Sequence, residues 1–349
     1  MDKKELAGLV RPNILALCPY STARDELTGT PEVFLDANES PYPNGWNRYP
    51  DPRQAALKKA VSALKGIPAE NIFLGNGSDE AIDLIYRVFC EPGKDNAVAI
   101  APSYGMYEVA AAINDVEFRK VPLGDDYSLP SGALLAACDS RTKAMFLCSP
   151  NNPTGNAFPR EDILALVRAF KGIVVVDEAY IDFSSVGSLL PEIASNPNLV
   201  VLQTMSKARG MASLRVGMAF ADPFTISLMS RVKYPYNISG AVQELALKAL
   251  SSDIEGQVRE IVTERARLVS ALPAFRCIRK VHPSEANFLL VEVDDPDLLY
   301  DRLIADGIIV RNRNRVEGCR GCLRITVGTP EENDRLIQSL KDYEKSHIR

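Results

Sequence analysis

Between Asn71 and Ala221 the chain repeats one unit, a short apolar run followed by an amphipathic stretch, and this alternation narrows the fold more than any other feature. The runs NIFLG, NAVAIA, VEFRKV, KAMFLCS, GIVVVD, LVVLQT and RVGMAFA all have strand length. Several are continuously apolar rather than alternating, as expected of strands covered by helices on both faces. Helical spacing fits Asp79–Cys90, Tyr104–Ile113, Pro130–Cys138 and Arg160–Phe170, the last opened by Pro159 and closed by Gly172. The expectation is an α/β fold: a large domain with a mostly parallel central sheet. Beyond Ser239 the pattern turns helical, with a break at Ser251 to Ile254. EANFLLVEV, IIVRN and CLRITV then read as strands, with helices near Asp297–Ala305 and from about Pro330 to Ser346. That is a smaller α+β domain. The expected division is an N-terminal arm over 1–30, the large domain over 31–245 and the small C-terminal domain over 246–349.

Composition removes several function classes. Apolar residues make up 46% and charged residues 24% of the 349, an ordinary globular balance. A net charge of -5 provides no global positive field to gather nucleic-acid phosphates, so no nucleic-acid partner is expected. The opening MDKKELAGLVRPNILAL has no sustained apolar core of a leader, and no run of about twenty apolar residues follows. A cytoplasmic protein without a membrane partner is the expectation. Seven cysteines, an odd number at irregular spacing, read as reduced thiols. Cys319 and Cys322 form one CxxC, but with no second pair and only His282 and His347 as histidines, no metal site is expected. Histidine scarcity also speaks against a Ser-His-Asp or Cys-His hydrolase, since His347 lies in the tail and His282 in a proline-flanked loop.

Ligands of open α/β sheets collect at the carboxyl ends of strands, and here chemistry-bearing motifs follow strand runs directly. After NIFLG, Gly75 and Gly77 permit a tight turn, and Ser78, Asp79 and Glu80 open a helix whose free N–H groups suit a phosphate. The same residues also suit an ordinary capped helix start. A dinucleotide fingerprint fits worse, because Glu80 stands where Gly or Ala belongs. SPNNPTG at 149–155 is a turn that either points the Asn152 amide at a ring oxygen or is simply a turn. GIVVVD ends on Asp177, which needs a partner once buried: a pyridinium N–H, a Mg²⁺ ion or a helix start. Tyr180, three residues on, can donate to a phenolic oxygen. LVVLQT leads into Ser206 and Lys207, with Arg215 eight residues later to meet a phosphate together with Ser206. Tyr104 in PSYGMY either lies against a cofactor ring or packs in the core. A lysine amine, a ring-nitrogen carboxylate and donors for ring oxygen and phosphate are together what pyridoxal 5′-phosphate requires. Beside Arg215 and a pyridinium the ammonium of Lys207 is disfavoured, which favours nucleophilic competence.

On these segments the chain resembles the fold type I aminotransferases, and within them the histidinol-phosphate aminotransferases. The resemblance rests on LCPYSTAR at 17–24, LDANESPYP at 35–43, NRYPDP at 47–52, GNGSDEAID, PSYGMY, SPNNPTG, VVVDEAY, TMSKA with Arg215, and CLRITVGT at 322–329. It implies a homodimer with each site at the subunit interface, Tyr49 reaching the cofactor phosphate of the other copy. Ser78, Asp79, Ser206 and Arg215 would bind that phosphate within the chain, Asn152 and Tyr180 the ring oxygen, and Asp177 the ring nitrogen. Tyr104 and Ala179 would pack the two ring faces. Lys207, Asp177 and Tyr180 form the implied catalytic set. Arg324 would clamp the anionic group of the substrate, with Tyr20, Tyr236, Asn152 and Arg24 as further contacts. Two residues depart from the family's habit: Arg209 stands where an aromatic residue is frequent, and Ser213 where glycine is. The implied reaction exchanges an amino group between L-histidinol phosphate and 2-oxoglutarate, forming imidazole acetol phosphate and L-glutamate, a step of histidine biosynthesis. Threonine-phosphate decarboxylation and aromatic amino-acid transfer use the same apparatus and are the alternatives. A non-catalytic ligand-binding protein of this fold could dispense with Lys207 or Asp177, and both are present.

Overall fold

A computed structural model describes residues 1–19 and 33–347. Among these residues the larger sheet has seven strands: β1 (Ile72–Asn76), β2 (Asn96–Ala101), β3 (Glu117–Pro122), β4 (Thr142–Cys148), β5 (Ile173–Asp177), β6 (Leu199–Thr204) and β7 (Val216–Phe220). Their order is β1-β7-β6-β5-β4-β2-β3, parallel except for β7, which runs against both neighbours. Each apolar run thus became a strand within a residue or two of its expected bounds, and the mostly parallel α/β expectation holds.

The apolar runs are continuous because both sheet faces are covered. Along β5, Val175 faces one buried cluster while Val174 and Val176 face the other, as a period of two dictates. The first cluster packs under helices Ser78–Phe89, Met106–Ile113 and Pro223–Val232, the second under helices Ala55–Lys65 and Arg160–Ala169. Helices Ala55–Lys65 and Pro223–Val232 were not anticipated. The chain start belongs to this core in part: Leu6, Val10 and Ile14 are buried in the first cluster, and the Arg11 amide donates to the Val88 carbonyl at 3.0 Å.

A second, antiparallel sheet contains β8 (Ile278–Val281), β9 (Phe288–Val293), β10 (Arg311–Asn312) and β11 (Cys322–Thr326), ordered β10-β11-β9-β8. Helices Glu255–Ala271, Pro296–Ala305 and Pro330–His347 cover it. The expected strand IIVRN shrinks to Arg311–Asn312 at a sheet edge, with Ile309 exposed. No described helix is long and apolar enough to cross a membrane, and no described group of three or more His, Cys, Asp or Glu side chains could hold a metal ion.

Candidate active site

The carboxyl ends of β1, β2, β4, β5 and β6, the start of helix Ser78–Phe89 and the β10–β11 hairpin enclose a cavity of about 750 Å³. Backbone geometry sets its floor. Gly77 caps the helix with φ of 77°, and a Cβ there would lie 2.6 Å from an Arg215 guanidinium nitrogen. Across from it β7 passes so close that a Cβ on Gly217 would sit 2.0 Å from the Ser78 amide nitrogen. Only glycine fits either place. No side chain caps this 12-residue helix, so its first N–H groups remain available to an anion.

Arg215 stands at the helix start with φ of 57°, its carbonyl accepting from the Gly77 amide at 2.7 Å and its Nη2 donating to Asp79 Oδ2 at 3.2 Å. Asp79 also accepts from the Tyr104 hydroxyl at 3.0 Å. Burial, then Asp79, raises the Tyr104 pKa, so the ring remains a neutral phenol. Ser206 accepts from the Thr204 hydroxyl at 3.0 Å, which orients it at the end of β6.

Asp177 closes β5 between Cys148 of β4 and Leu202 of β6 and is 3% exposed. It accepts from the Tyr107 hydroxyl at 2.8 Å and the Ala179 amide at 3.0 Å. Burial pushes its pKa up to about 6, against the opposing pull of those two donors. The next residue, Glu178, is also buried but accepts from Ser188, Leu189 and Gln203 instead. The pleat sends adjacent acids to opposite sides, so Asp177 alone of the two lines the cavity. Tyr107 was missed in the sequence reading. It is 1% exposed, stacks on Phe146 at 5.0 Å and meets Tyr104 edge-on at 5.6 Å. Its available signal was its place three residues after Tyr104, one helical turn along.

Lys207 opens into the cavity, its Nζ 5.5 Å from the centre of the Tyr180 ring. The walls crowd its ammonium even though the side chain is reachable from the cleft. Desolvation, then Arg324, lowers its pKa; Asp177 opposes and Arg215 adds to the lowering. Tyr180 meets Phe288 edge-on at 5.1 Å, and the Arg324 guanidinium lies 5.2 Å from the same Phe288 ring centre. Arg324, on β11, donates to Asn152 Oδ1 at 2.5 Å. Asn152 is set by its neighbour: Asn151 is fully buried, donates to the Pro102 carbonyl and Thr154 hydroxyl at 2.9 and 2.7 Å, and pins the turn.

Ser78, Asp79, Tyr104, Asn152, Asp177, Ala179, Tyr180, Ser206, Lys207, Arg215 and Arg324 thus converge on one cavity. Tyr49 and Tyr236 do not line it. They stack on each other at 4.5 Å and line a separate hollow with Trp46 and Arg48. Tyr20 and Arg24 lie outside the described residues. Neither Arg209 nor Ser213 lines the cavity; Arg209 donates to the Ser252 carbonyl at 3.4 Å.

The sequence pattern of the aminotransferase class I and II family matches residues 13–340. A histidinol-phosphate aminotransferase of Parabacteroides distasonis is 54% identical over 97% of this chain and 99% of its own length. One from Bacteroides fragilis is 52% identical over 98% of this chain and all of its own. Among solved structures, histidinol-phosphate aminotransferase from Sinorhizobium meliloti in complex with pyridoxal 5′-phosphate superposes with a TM-score of 0.78 at 25% identity, covering 86% of this chain and 83% of that one. By full-length similarity as well as by the side chains gathered at the strand ends, the chain belongs to the class I and II aminotransferases, and among them to the histidinol-phosphate aminotransferases.

Proposed function

We propose that this enzyme moves an amino group between L-histidinol phosphate and 2-oxoglutarate, using pyridoxal 5′-phosphate. The observation that carries the proposal is the convergence of Lys207, Asp177 and Arg324 on one cavity, in a chain whose relatives of about half identity are histidinol-phosphate aminotransferases. The cavity suits the cofactor: Asp177 is a buried acid without a cationic hydrogen-bond partner, Lys207 is an amine with depressed basicity, and the glycine-lined helix start lacks a cap. When bound, the cofactor supplies a ring that accepts the electron pair released at the substrate's α-carbon.

Asp177 would keep the ring nitrogen protonated. Asn152 already offers Oδ1 to Arg324, which leaves its Nδ2 to donate to the ring oxygen beside Tyr180. The first amides of helix Ser78–Phe89, Ser206 and Arg215 would hold the phosphate, while the Asp79 carboxylate fixes Arg215 and Tyr104. Tyr104 and Ala179 pack the ring faces. With the cofactor bound, Lys207 would be the base that takes the proton from the substrate's α-carbon and, once protonated, the acid that gives it back. Arg324 holds the substrate anion, a carboxylate in one half of the cycle and a phosphate ester in the other.

The active form is a dimer in the cytoplasm. Val33, Leu35, Tyr42 and Trp46, all within residues 33–46, are 74, 90, 80 and 67% exposed, and Trp46 lines the Tyr49 hollow; a second copy would cover such side chains while Tyr49 completes the neighbouring site. All seven cysteines are free thiols, as a reducing compartment favours. Incubation of the purified protein with L-histidinol phosphate and 2-oxoglutarate should yield L-glutamate. Carbon dioxide from threonine phosphate, or faster transfer from aromatic amino acids, would replace this reading with one of its alternatives.

A further inference from the structure

The β10–β11 hairpin carries charge that the reaction scheme has not used. Asn312 and Asn314 donate to Asp297 Oδ1 and Oδ2 at 2.6 and 3.0 Å, anchoring one side of the hairpin to helix Pro296–Ala305. With side chains alternating, Arg311 and Arg313 are directed to the opposite side, and both line the cavity with Arg324. The backbone holds Arg313 there: its amide donates to the Cys322 carbonyl and its carbonyl accepts from the Val316 amide, each at 2.9 Å. Among the described residues no side chain or carbonyl accepts a hydrogen bond from its guanidinium, and its Nε is buried without a partner, as is that of Arg324. Desolvation, then Arg324 and Arg311, lowers its pKa to about 10, so it remains a cation at neutral pH. A half-buried guanidinium crowded by like charges and lacking a carboxylate is a costly arrangement until an anion arrives.

We propose that Arg313 is a second anion-holding fork of the substrate site and that it sets the preference for a phosphate-ester dianion over a carboxylate. A carboxylate has two oxygens, and one guanidinium fork on Arg324 engages both. A phosphate ester has three outer oxygens and nearly twice the charge. The oxygen left over by Arg324 has Arg313 as its donor, so removing Arg313 should weaken the ester more than the amino acid. The inference rests on the proposed phosphate-ester substrate, and the test below separates the two.

Arg313→Gln and Arg313→Lys would be compared with wild type as holoenzymes, with the cofactor's absorbance spectrum and the thermal midpoint reporting an intact fold. Inorganic phosphate is the first probe, as a competitor of the L-glutamate half-reaction. Its inhibition constant should rise about tenfold or more in Arg313→Gln and recover in part in Arg313→Lys. The second measurement is the ratio of apparent affinities for L-histidinol phosphate and L-glutamate, which should fall by a similar factor with the limiting rates little altered. Unchanged phosphate inhibition, or equal weakening of both amines, overturns the role of Arg313. Wild-type protein that ignores L-histidinol phosphate overturns the substrate instead, while the phosphate competition still decides whether Arg313 holds an anion.

Discussion

On the wall of the cavity built by the large sheet, Asp79 meets Arg215 and Tyr104, and Asp177 accepts from Tyr107 and Ala179. On the opposite wall Arg311, Arg313 and Arg324 stand together, and among the described residues their one side-chain hydrogen bond runs from Arg324 to Asn152. The first wall pairs its carboxylates with donors before any ligand enters, and leaves the uncapped amides of helix Ser78–Phe89 and the Lys207 amine open to one. The second gathers three guanidiniums, and Glu317 of the same hairpin, which also lines the cavity, forms no ion pair with any of them. Charge placement therefore fits the proposed division between a permanent seat for the cofactor and a docking place for substrates that come and go.

Substitutions on the cofactor wall should break the comparison most severely. Lys207→Ala removes the group that carries the proton, and turnover should fall by roughly ten-thousandfold, with loss of the visible band of the lysine-bound cofactor in an absorbance titration. Asp177→Asn should weaken cofactor binding by about ten- to a hundredfold, the loss of a charge-assisted hydrogen bond, measured by fluorescence titration. The same change should stabilise the cofactor-free protein. Folding raises the Asp177 pKa from 3.8 to about 6, so the wild-type fold loses stability as pH rises from about 4 to 6 and has lost all of that contribution above. Asparagine has no such dependence. After allowing for a weakened Tyr107 contact, the gain at pH 7.5 should be on the order of 1–2 kcal/mol, read from urea melts, and should vanish near pH 4. The smallest effect belongs to Tyr107→Phe. It removes a donor that lowers the Asp177 pKa, so the cofactor-free fold should lose about 1 kcal/mol, and the pH window of the Asp177 effect should move upward.

The two walls also differ in how far they could be read from sequence. Lys207, Asp177 and Asn152 were legible because each follows a continuously apolar strand run, and strand ends of a parallel sheet converge by topology. Tyr107 was not, since a tyrosine on an amphipathic helix becomes a partner of Asp177 only through packing that juxtaposes residues 70 positions apart. The hairpin was harder still. Arg311 to Asn314 is polar throughout, and its alternation acquires meaning only once Asp297 anchors one side. Similarly β8 carries Arg279 and Lys280 at a sheet edge, where charge guards against further pairing and conceals a strand from hydropathy. The pairing of Tyr49 with Tyr236 in a separate hollow was not foreseeable from their spacing.

The central claim is that the Lys207 amine and the Asp177 carboxylate bracket one heterocycle. A crystal structure of the protein grown with pyridoxal 5′-phosphate tests it most directly. The account predicts continuous density between Lys207 Nζ and C4′, with the ring nitrogen within about 3 Å of an Asp177 oxygen. Cofactor density elsewhere in the molecule, or a ring nitrogen facing any group other than Asp177, would contradict it.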